Sequence, residues 1–385
     1  MKIIVVMIGK MVKCPPAISV IQVLNDLGYE VIVCTTNCDK EALLRNFEGM
    51  NNITFEYPIS DYEDNVSLHI KLIRMFKIRK NLWDTIEKYY DDESLLWVIS
   101  EVAVKHLGKR LLNKRYILHE LELIEGMYYI SGNPIFKLDA HEYASKALAV
   151  IEAEYNRAHI TKAWWNLDRV PYVLPNRPYK SADIRKKSSI TSRDDVAQLM
   201  EALKDKKIIL YQGNISKERP LDKFIMAVEE LGDEYAFVMM LNGKNPYPEL
   251  KTNNCYFVPF IAPPFHLEVT SNAYIGILSY VPIKNSYSIL NTLFCAPNKI
   301  WEYSKFGVPM ISNDLPALTS QFHEKHIGIT IPELSIEKIK EAILEIDRDY
   351  TNYSKAAKEF YDSVDIKTII ESIVADCERK MRDAV

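Results

Sequence analysis

The sequence predicts an α/β protein with two doubly wound domains, and three observations support this prediction. Short β-branched runs alternate with helical patterns over residues 1 to about 175, and a second alternating set begins at Lys206. A proline-containing, charged and Ser-rich segment lies between the two sets. The 385 residues are also sufficient for two domains of ordinary size.

In the first set, the N-terminal run KIIVVMI is typical of a fully buried parallel strand. The helical pattern PPAISVIQVLNDLGY follows, with proline at its start and Gly28 near its end. The later strand patterns are EVIVCTT, ITFEYPI, LLWVIS, YILHE and ALAVIEAE. Repeated strand–helix–strand units predict right-handed crossovers and a parallel sheet.

The second set has strand patterns at KKIILYQGNI, YAFVMML, CYFVPFI, YIGILSYVP and GITI, with helical patterns between them and after them. We therefore expect a first domain at 1–175, a linker at 176–195, a second domain at 196–360 and a C-terminal helix at 361–385 that packs back on the first domain. Two such domains would face each other across a cleft. Ligands of open α/β sheets bind at the carboxyl ends of the strands, so a site is expected there.

Composition excludes several functional classes. The net charge of −4 and the pI near 6.1 argue against a nucleic-acid partner. With only 12 glycines, the chain has no Gly-x-Gly-x-x-Gly, P-loop or Gly-x-Ser-x-Gly pattern. The six cysteines are scattered, which favours a reduced cytoplasmic protein, and no run is long enough to span a membrane. No metal site is expected either.

The segment APNKIWEYSKFGVPMISNDLP, residues 296–316, predicts a loop, a short helix, a turn and a strand. Pro297 or Asn298 begins the helix, and Gly307 suits the left-handed position after its end. The positive end of a helix dipole binds phosphate, and a cation at Lys299 in the first turn opposes that dipole unless an anion is bound. Glu302 follows one turn later, where a carboxylate could accept hydrogen bonds from a ribose diol. An ordinary amphipathic helix with a solvated Glu302 is the alternative.

The same segment resembles the nucleotide-sugar-binding segment of GT-B glycosyltransferases, particularly those of the retaining family-four type. There the form is Pro-Asn-Lys, two apolar residues, Glu-Tyr, and then Gly-x-Pro before an apolar strand. The stretches ILYQGNISKERPLDKFIMAV, YFVPFIAPPFHLEVTSNAYIGILSY and YILHELELIE are similar to other segments of that family, in the same order. The resemblance implies two Rossmann-like domains.

The resemblance also implies an enzyme: a metal-independent, retaining glycosyltransferase of the hexosyltransferase type. The donor would be a nucleoside diphosphate sugar, most often a UDP-sugar, and no separate cofactor is expected. The acceptor would be a glycan or a lipid-linked molecule of cell-surface polysaccharide synthesis. The donor-binding residues carried over or proposed as substitutes are Lys217, Arg219, Lys244, Val258, Pro259, Phe260, Pro297, Asn298, Lys299 and Glu302.

Two positions depart from the family pattern. Phe294 stands where many of these enzymes have a first glutamate that contacts the transferred sugar, and Asn214 replaces an arginine that often contacts the diphosphate. Two alternatives therefore stay open: a GT-B-fold sugar-nucleotide 2-epimerase, and a non-catalytic GT-B subunit that supports a partner transferase.

His119 and Glu120 end a predicted strand of the first domain and match the family's acceptor-side turn. This resemblance makes them the candidate catalytic residues, with His119 orienting the acceptor hydroxyl or acting as base. A hydrogen-bonded structural histidine is the alternative.

The run KLIRMFKIRKNLW predicts a basic amphipathic helix that could lie on an anionic membrane. Its cations are Lys71, Arg74, Lys77, Arg79 and Lys80. We therefore expect a possible peripheral contact at the inner face of the cell membrane. A docked helix with a solvated basic face is the alternative.

Overall fold

The computed structural model describes residues 1–60, 68–128, 137–180, 184–250, 252–283 and 288–383. The chain divides into two compact units, one formed by Met1–Lys180 with Asp365–Val385 and the other by Ser181–Val364. The sequence interpretation placed a linker at 176–195 and a final helix from 361, and these bounds stay predictions.

The first unit is built on a parallel sheet whose strand order, within the described ranges, is β3-β2-β1-β4-β5-β8-β9. Its strands are β1 Lys2–Met7, β2 Glu30–Thr36, β3 Ile53–Ile59, β4 Leu95–Ile99, β5 Tyr116–His119, β8 Ala149–Glu152 and β9 Tyr172–Val173, and β6 Met127–Tyr128 pairs separately with β7 Lys137–Leu138. Its helices are α1 Pro15–Asp26, α2 Lys40–Leu44, α3 Leu68–Glu87, α4 Ser100–Leu107, α5 Ala140–Lys146 and α6 Tyr155–Trp164. Short 3-10 turns span Met11–Lys13, Arg45–Phe47 and Gly108–Asn113.

The second unit has a parallel sheet of order β12-β11-β10-β13-β14-β15 over the residues described. Its strands are β10 Lys207–Gly213, β11 Tyr235–Leu241, β12 Cys255–Pro259, β13 Ile275–Leu278, β14 Met310–Asn313 and β15 Gly328–Ile331. Its helices are α7 Asp194–Ala202, α8 Asp222–Leu231, α9 His266–Thr270, α10 Leu290–Leu293, α11 Asn298–Lys305, α12 Pro316–Lys325, α13 Ile336–Arg348 and α14 Tyr350–Asp362.

Both faces of the second sheet are buried, as the continuous apolar strands predict. Ile208 and Leu210 of β10 point into one core, whereas Ile209 and Tyr211 point into the other. This alternation follows from the two-residue period of a strand. The predicted fold class, α/β with two doubly wound domains, is confirmed.

Helix α15, Ile366–Asp383, returns the chain to the first unit. The Tyr172 hydroxyl donates a 2.5 Å hydrogen bond to Asp376, and Lys380 donates to the carbonyl of Leu148 at 2.6 Å. Tyr172 belongs to β9, a strand that the sequence interpretation did not include. This strand has only two residues and lies between Pro171 and Pro175. It is therefore too short to show the alternation of apolar and polar residues by which a strand is recognised in a sequence.

Candidate donor-binding site

The point at which the strand order reverses marks the candidate site in the second unit. From β10 the chain proceeds outward through β11 and β12, and it then returns to the other side of β10 as β13 and continues outward through β14 and β15. A crevice forms at the carboxyl ends of the two strands that flank such a reversal. Gln212 and Gly213 end β10, and Ser279 and Tyr280 follow β13 at this edge.

Helix α11 begins at the same edge because it connects the parallel strands β13 and β14. The helix spans Asn298–Lys305 with Pro297 as its N-cap, and Gly307 after its end has a φ of +60°. The sequence prediction of this helix, its start and its left-handed glycine is therefore confirmed. Tyr303 is fully buried and donates a 2.8 Å hydrogen bond to the carbonyl of Leu210, which anchors α11 to β10.

Glu302 is buried, so the solvated alternative is wrong; only 6% of the residue is exposed. One carboxylate oxygen accepts a hydrogen bond from the Gln212 side-chain amide at 2.5 Å, and the other lies 3.3 Å from Nε2 of His266. Gln212 is itself fixed by a 2.6 Å hydrogen bond from Thr270. Burial alone would raise the pKa of Glu302, but His266, the Gln212 hydrogen bond and Lys299 together hold it below its usual value.

Lys299 is also buried, and its surroundings bring its pKa close to neutral pH. Burial and the charge of Arg219 lower the pKa of Lys299 to about 7, although Glu302 partly opposes this effect. Its Nζ lies 4.9 Å from the ring centroid of Tyr211 and 5.2 Å from that of Tyr280. The Arg219 guanidinium lies 5.2 Å from the same Tyr280 ring. Two cationic side chains thus approach one aromatic ring at the carboxyl edge of the sheet.

The turn after β10 begins at Gly213, next to the Lys299 amine. Gly213 has a φ of +119°, and a Cβ at this position would lie 3.6 Å from the Lys299 amine. The Asn214 carbonyl accepts a 2.6 Å hydrogen bond from Tyr211, and its side-chain oxygen accepts one from Asn242 at 3.1 Å. Asn214, which replaces an expected arginine, therefore stabilises the turn after β10.

The remaining predicted donor residues lie at the same edge but differ in exposure. Val258 is fully buried, Pro259 is half-buried and Phe260 is 41% exposed at the end of β12. Lys217 and Lys244 are exposed in the loops after β10 and β11. The structure brings Lys299 and Glu302 together with Arg219 and leaves these two lysines at the periphery.

His119 lies in the first unit and is fully buried. Its Nδ1 accepts a hydrogen bond from the Trp97 indole at 3.3 Å, because an indole nitrogen can only donate. Burial lowers the pKa of His119 to about 4, so at neutral pH the remaining proton is on Nε2. In this tautomer Nε2 can donate a hydrogen bond. The role of His119 in orienting the acceptor hydroxyl or acting as base stays a prediction.

Glu120 is also fully buried, and one of its oxygens accepts a 3.1 Å hydrogen bond from the backbone amide of Glu101 in the first turn of α4. Burial raises the pKa of Glu120, and the charges of Glu101 and Glu152 raise it further. Through this contact Glu120 stabilises the start of α4, and its catalytic role stays a prediction. Ser100, which begins that helix directly after β4, has a φ of +68°, an uncommon conformation outside glycine.

No protein-family model matches the chain, and no curated protein matches it in sequence. Solved structures do resemble it. A structure of Anabaena HepE in complex with UDP-glucose has a TM-score of 0.65 at 13% identity and covers 97% of this chain and 98% of that chain. The S. aureus MnaA–UDP co-structure has a TM-score of 0.59 at 15% identity, and the match covers 97% of this chain and 95% of that chain. Sucrose-phosphate synthase from Thermosynechococcus elongatus has a TM-score of 0.63 at 13% identity, and the match covers 100% of this chain and 100% of that chain.

The chain has the GT-B fold. Several residues at the candidate site of this GT-B chain were missed by sequence reasoning, namely Gln212, His266, Tyr211 and Tyr280. Gln212 carries one usable signal, since it is a polar residue that ends an apolar strand pattern. The other three carry none, because their role depends on contacts between distant segments.

The predicted membrane helix is α3, and it divides into two parts. Leu82 and Trp83 near its end are buried in the core, whereas Ile73 and Phe76 are 68% and 63% exposed. Arg79 is half-buried and donates to the carbonyls of His106 at 3.0 Å and Lys105 at 2.9 Å, so it stabilises the end of α4 and is a poor membrane contact.

Arg74, Lys77 and Lys80 are exposed, and Lys80 pairs with Asp84 at 3.3 Å. The side chain of Lys71 lies outside the described residues. Within the described residues, no helix of this GT-B chain has the length and apolar character to cross a membrane.

Proposed function

We propose that the chain is a glycosyltransferase that moves a sugar from a nucleoside diphosphate sugar to a glycan or lipid-linked acceptor, and that the donor is a UDP-sugar. The GT-B fold supports this proposal, as do similar structures described as complexes with UDP-glucose or UDP. The observation that carries it is the pair Lys299 and Arg219, two cations gathered at the strand-order reversal beside a helix N-terminus. Such a site has the charge to bind a diphosphate.

In the proposed complex, the diphosphate lies at the start of α11 between Lys299 and Arg219. Glu302 lies one turn further along, about 5 Å from that end. A carboxylate offers about four lone-pair positions, so Glu302 can accept from a ribose diol while keeping its contacts with Gln212 and His266. The base would lie against Pro259 and Phe260 at the end of β12.

The proposed chemistry places these residues at the leaving group. As the bond between the anomeric carbon and the diphosphate oxygen breaks, the bonding electrons pass to the diphosphate, the acceptor oxygen bonds to that carbon, and the proton of the acceptor hydroxyl passes to the departing diphosphate. Lys299, Arg219 and the amide groups of α11 then stabilise the growing negative charge more than they stabilise the bound donor. This electrostatic arrangement supports a metal-independent reaction as part of the proposal.

A titration with UDP by calorimetry, followed by a hydrolysis screen of nucleotide sugars, tests the proposal. We expect UDP to bind and Lys299→Met to weaken binding at least tenfold. Lys338→Met, at an exposed position of α13, is the matched control. Absence of UDP and GDP binding would contradict the donor site. Binding without turnover of any nucleotide sugar would instead favour a non-catalytic GT-B subunit.

We also propose a peripheral membrane contact, and a specific surface supports it. Ile70, Ile73 and Phe76 are exposed at three-residue spacing on α3, with the cations Arg74 and Lys77 beside them. At an anionic lipid interface, exposed apolar side chains can enter the acyl region while the neighbouring cations contact the anionic headgroups.

Liposome flotation tests this contact. We expect the wild type to float with phosphatidylglycerol vesicles and the variant Ile73→Asp, Phe76→Asp to remain in the lower fraction. A Glu substitution at the exposed Lys338 of α13 provides the surface control. Equal flotation of wild type and the α3 variant would exclude α3 as the membrane contact.

A further inference from the structure

A second cationic surface lies in the second unit, at the C-terminal end of α11. The candidate donor site lies at the N-terminal end of the same helix. It is a groove of two adjoining parts, about 700 Å³ and about 830 Å³, that share Lys186 and Tyr350. The smaller part is bounded by the segment 184–186, by the end of α11 and by α14. The larger part extends from Lys187 to the amino end of β10. We call both parts together the linker groove.

The charges that line the linker groove are strongly unequal. The cations are Arg185, Lys186, Lys187, Lys204, Lys206, Lys207, Lys305, Lys355 and Lys358, and the acids are Glu201, Asp205 and Glu359. Four of these cations form ion pairs, namely Lys204 with Glu201, Lys207 with Asp347, Lys355 with Glu359 and Lys358 with Asp362. The chain as a whole is net negative at −4, so this excess of positive charge is local.

Lys186 is held where the two parts of the groove meet. Its amine lies 5.6 Å from the ring centroid of Tyr350, and that ring stacks on Tyr274 with centroids 4.0 Å apart and planes inclined by 4°. The amine also contacts the Ser354 hydroxyl at 3.4 Å. These contacts fix the direction of a side chain that would otherwise move freely.

Lys186 and Lys187 are kept close together despite their equal charges. Lys187 has a φ of +59°, and its backbone amide donates to the carbonyl of Ser271 at 3.0 Å. Burial and the charge of Lys187 lower the pKa of Lys186. In the described part of the chain, neither lysine forms an ion pair with a carboxylate. A bound anion would relieve this repulsion and would compensate the partial burial of Lys186.

We propose that the linker groove binds a phosphate-bearing anion, either a free phosphorylated metabolite or the headgroup of a phospholipid. Lys186 and Lys187 would contact the phosphate, with Lys355 on α14 completing the cationic surroundings. Thr351 lies in the first turn of α14, so the positive end of that helix also faces the groove. Multiple cations around one cavity favour a multiply charged phosphate over a single carboxylate.

The linker groove is separate from the donor site, although α11 joins them. Lys299 is in the first turn of α11 and Lys305 in its last, six residues or about 9 Å apart along the axis. The Ser354 hydroxyl, which contacts Lys186, donates a 2.6 Å hydrogen bond to the carbonyl of Gly307. An anion in the linker groove therefore lies at the end of the helix that begins at the donor site.

Calorimetric titration of the full chain with inorganic pyrophosphate tests the proposal. We expect two binding events in the wild type, one at each site. The variant Lys186→Glu, Lys355→Glu should lose one event, or weaken it at least tenfold, while UDP affinity stays within twofold of wild type. Lys338→Glu on α13 is the charge-reversal control at an exposed position and should keep both events. Lys299→Met should abolish the binding of pyrophosphate at the donor site.

These variants separate the two proposals. If Lys186→Glu, Lys355→Glu loses pyrophosphate binding while Lys299→Met changes neither UDP nor pyrophosphate binding, the linker groove stands and the donor site fails. Flotation of the otherwise wild-type chain with phosphatidylglycerol vesicles identifies a lipid source if Lys186→Glu, Lys355→Glu reduces flotation while the α13 control does not. If Lys186→Glu, Lys355→Glu binds pyrophosphate and vesicles as well as the α13 control does, the proposal is overturned.

Discussion

The carboxylate of Glu302 accepts a hydrogen bond from the side-chain amide of Gln212 at 2.5 Å, across 90 residues of sequence. This contact joins α11 to the carboxyl end of β10. It also holds a buried carboxylate in a fixed direction beside Lys299, because His266 constrains the second oxygen at 3.3 Å. Gln212 and His266 together thus fix the direction in which Glu302, the only acidic side chain of α11, can contact a ligand.

Replacing Glu302 with Gln is expected to weaken UDP binding about 10- to 100-fold, or about 1.4 to 2.7 kcal/mol. The amide retains the size of the carboxylate and can still accept from Gln212, but it loses the charge and half of the acceptor capacity. Calorimetry with UDP measures the change. Glu333→Gln, at an exposed position in the same unit, should bind like the wild type. Equal affinities for Glu302→Gln and wild type would contradict the ribose contact.

Donor affinity is expected to fall as the pH rises from 7 to 9. The pKa of Lys299 in the free protein is about 7, and a diphosphate beside the amine raises it. Above pH 7 the free protein has lost this proton whereas the complex holds it, so binding takes up a proton and weakens by up to tenfold per pH unit. UDP itself is already ionised in this range, since a terminal phosphate has its second pKa near 6.

Titrations in buffers of different ionisation enthalpy measure that proton uptake directly. In Lys299→Met we expect weaker binding that no longer varies between pH 7 and 9. A wild-type affinity that is constant over this range would show that Lys299 is not beside the bound phosphates.

Glu152, at the end of β8, is expected to destabilise the first unit as the pH rises. Burial raises the pKa of Glu152 to about 7, while the hydrogen bond from Thr161 and the charge of Arg157 lower it in part. The folded state therefore holds a proton that the unfolded chain releases above about pH 4.5. Stability is full below that pH and declines through pH 7, by an amount on the order of 3 kcal/mol.

Urea denaturation at pH 5 and pH 8 measures this difference, because the midpoint reports the free energy of unfolding. Glu152→Gln keeps the size of the side chain and should reduce the difference between the two midpoints. A variant with the wild-type pH dependence would assign that dependence to other buried carboxyls, such as Glu120.

Substitution of Gly307 by Ala is expected to destabilise the second unit by about 1 to 3 kcal/mol. The residue has a φ of +60°, and a Cβ there would lie 2.8 Å from the carbonyl oxygen of Ser354. Gly28→Ala is the matched control: its φ is +83°, but no atom lies within 4 Å of the added carbon. Thermal denaturation should show a larger loss for Gly307→Ala, and equal losses would contradict the steric effect.

Local rules were sufficient to predict α11. Its proline, its asparagine and its terminal glycine each have a conformational preference that depends on one or two neighbours, and the helix begins and ends where they indicate. The two sheets were predictable for a similar reason, because strands buried on both faces need continuous apolar runs.

Long-range contacts could not be predicted in this way. The sequence places Glu302 on the same helical stripe as Asn298, but its burial depends on Gln212 and His266, which lie on other segments. Arg79 shows the same limit: the spacing groups it with the exposed cations of α3, whereas its guanidinium contacts the end of α4. His119 also lies deeper than its position at a strand end indicated.

The return of α15 has a consequence for how the polypeptide matures. Ile370, Ile373 and Val374 belong to the interior of the first unit although they are separated from it in sequence by the whole of Ser181–Val364. The first unit therefore cannot complete its interior until the two ends of the polypeptide come together, whereas Ser181–Val364 is one continuous segment. Closing so long a loop has an entropic cost that only the first unit has to meet.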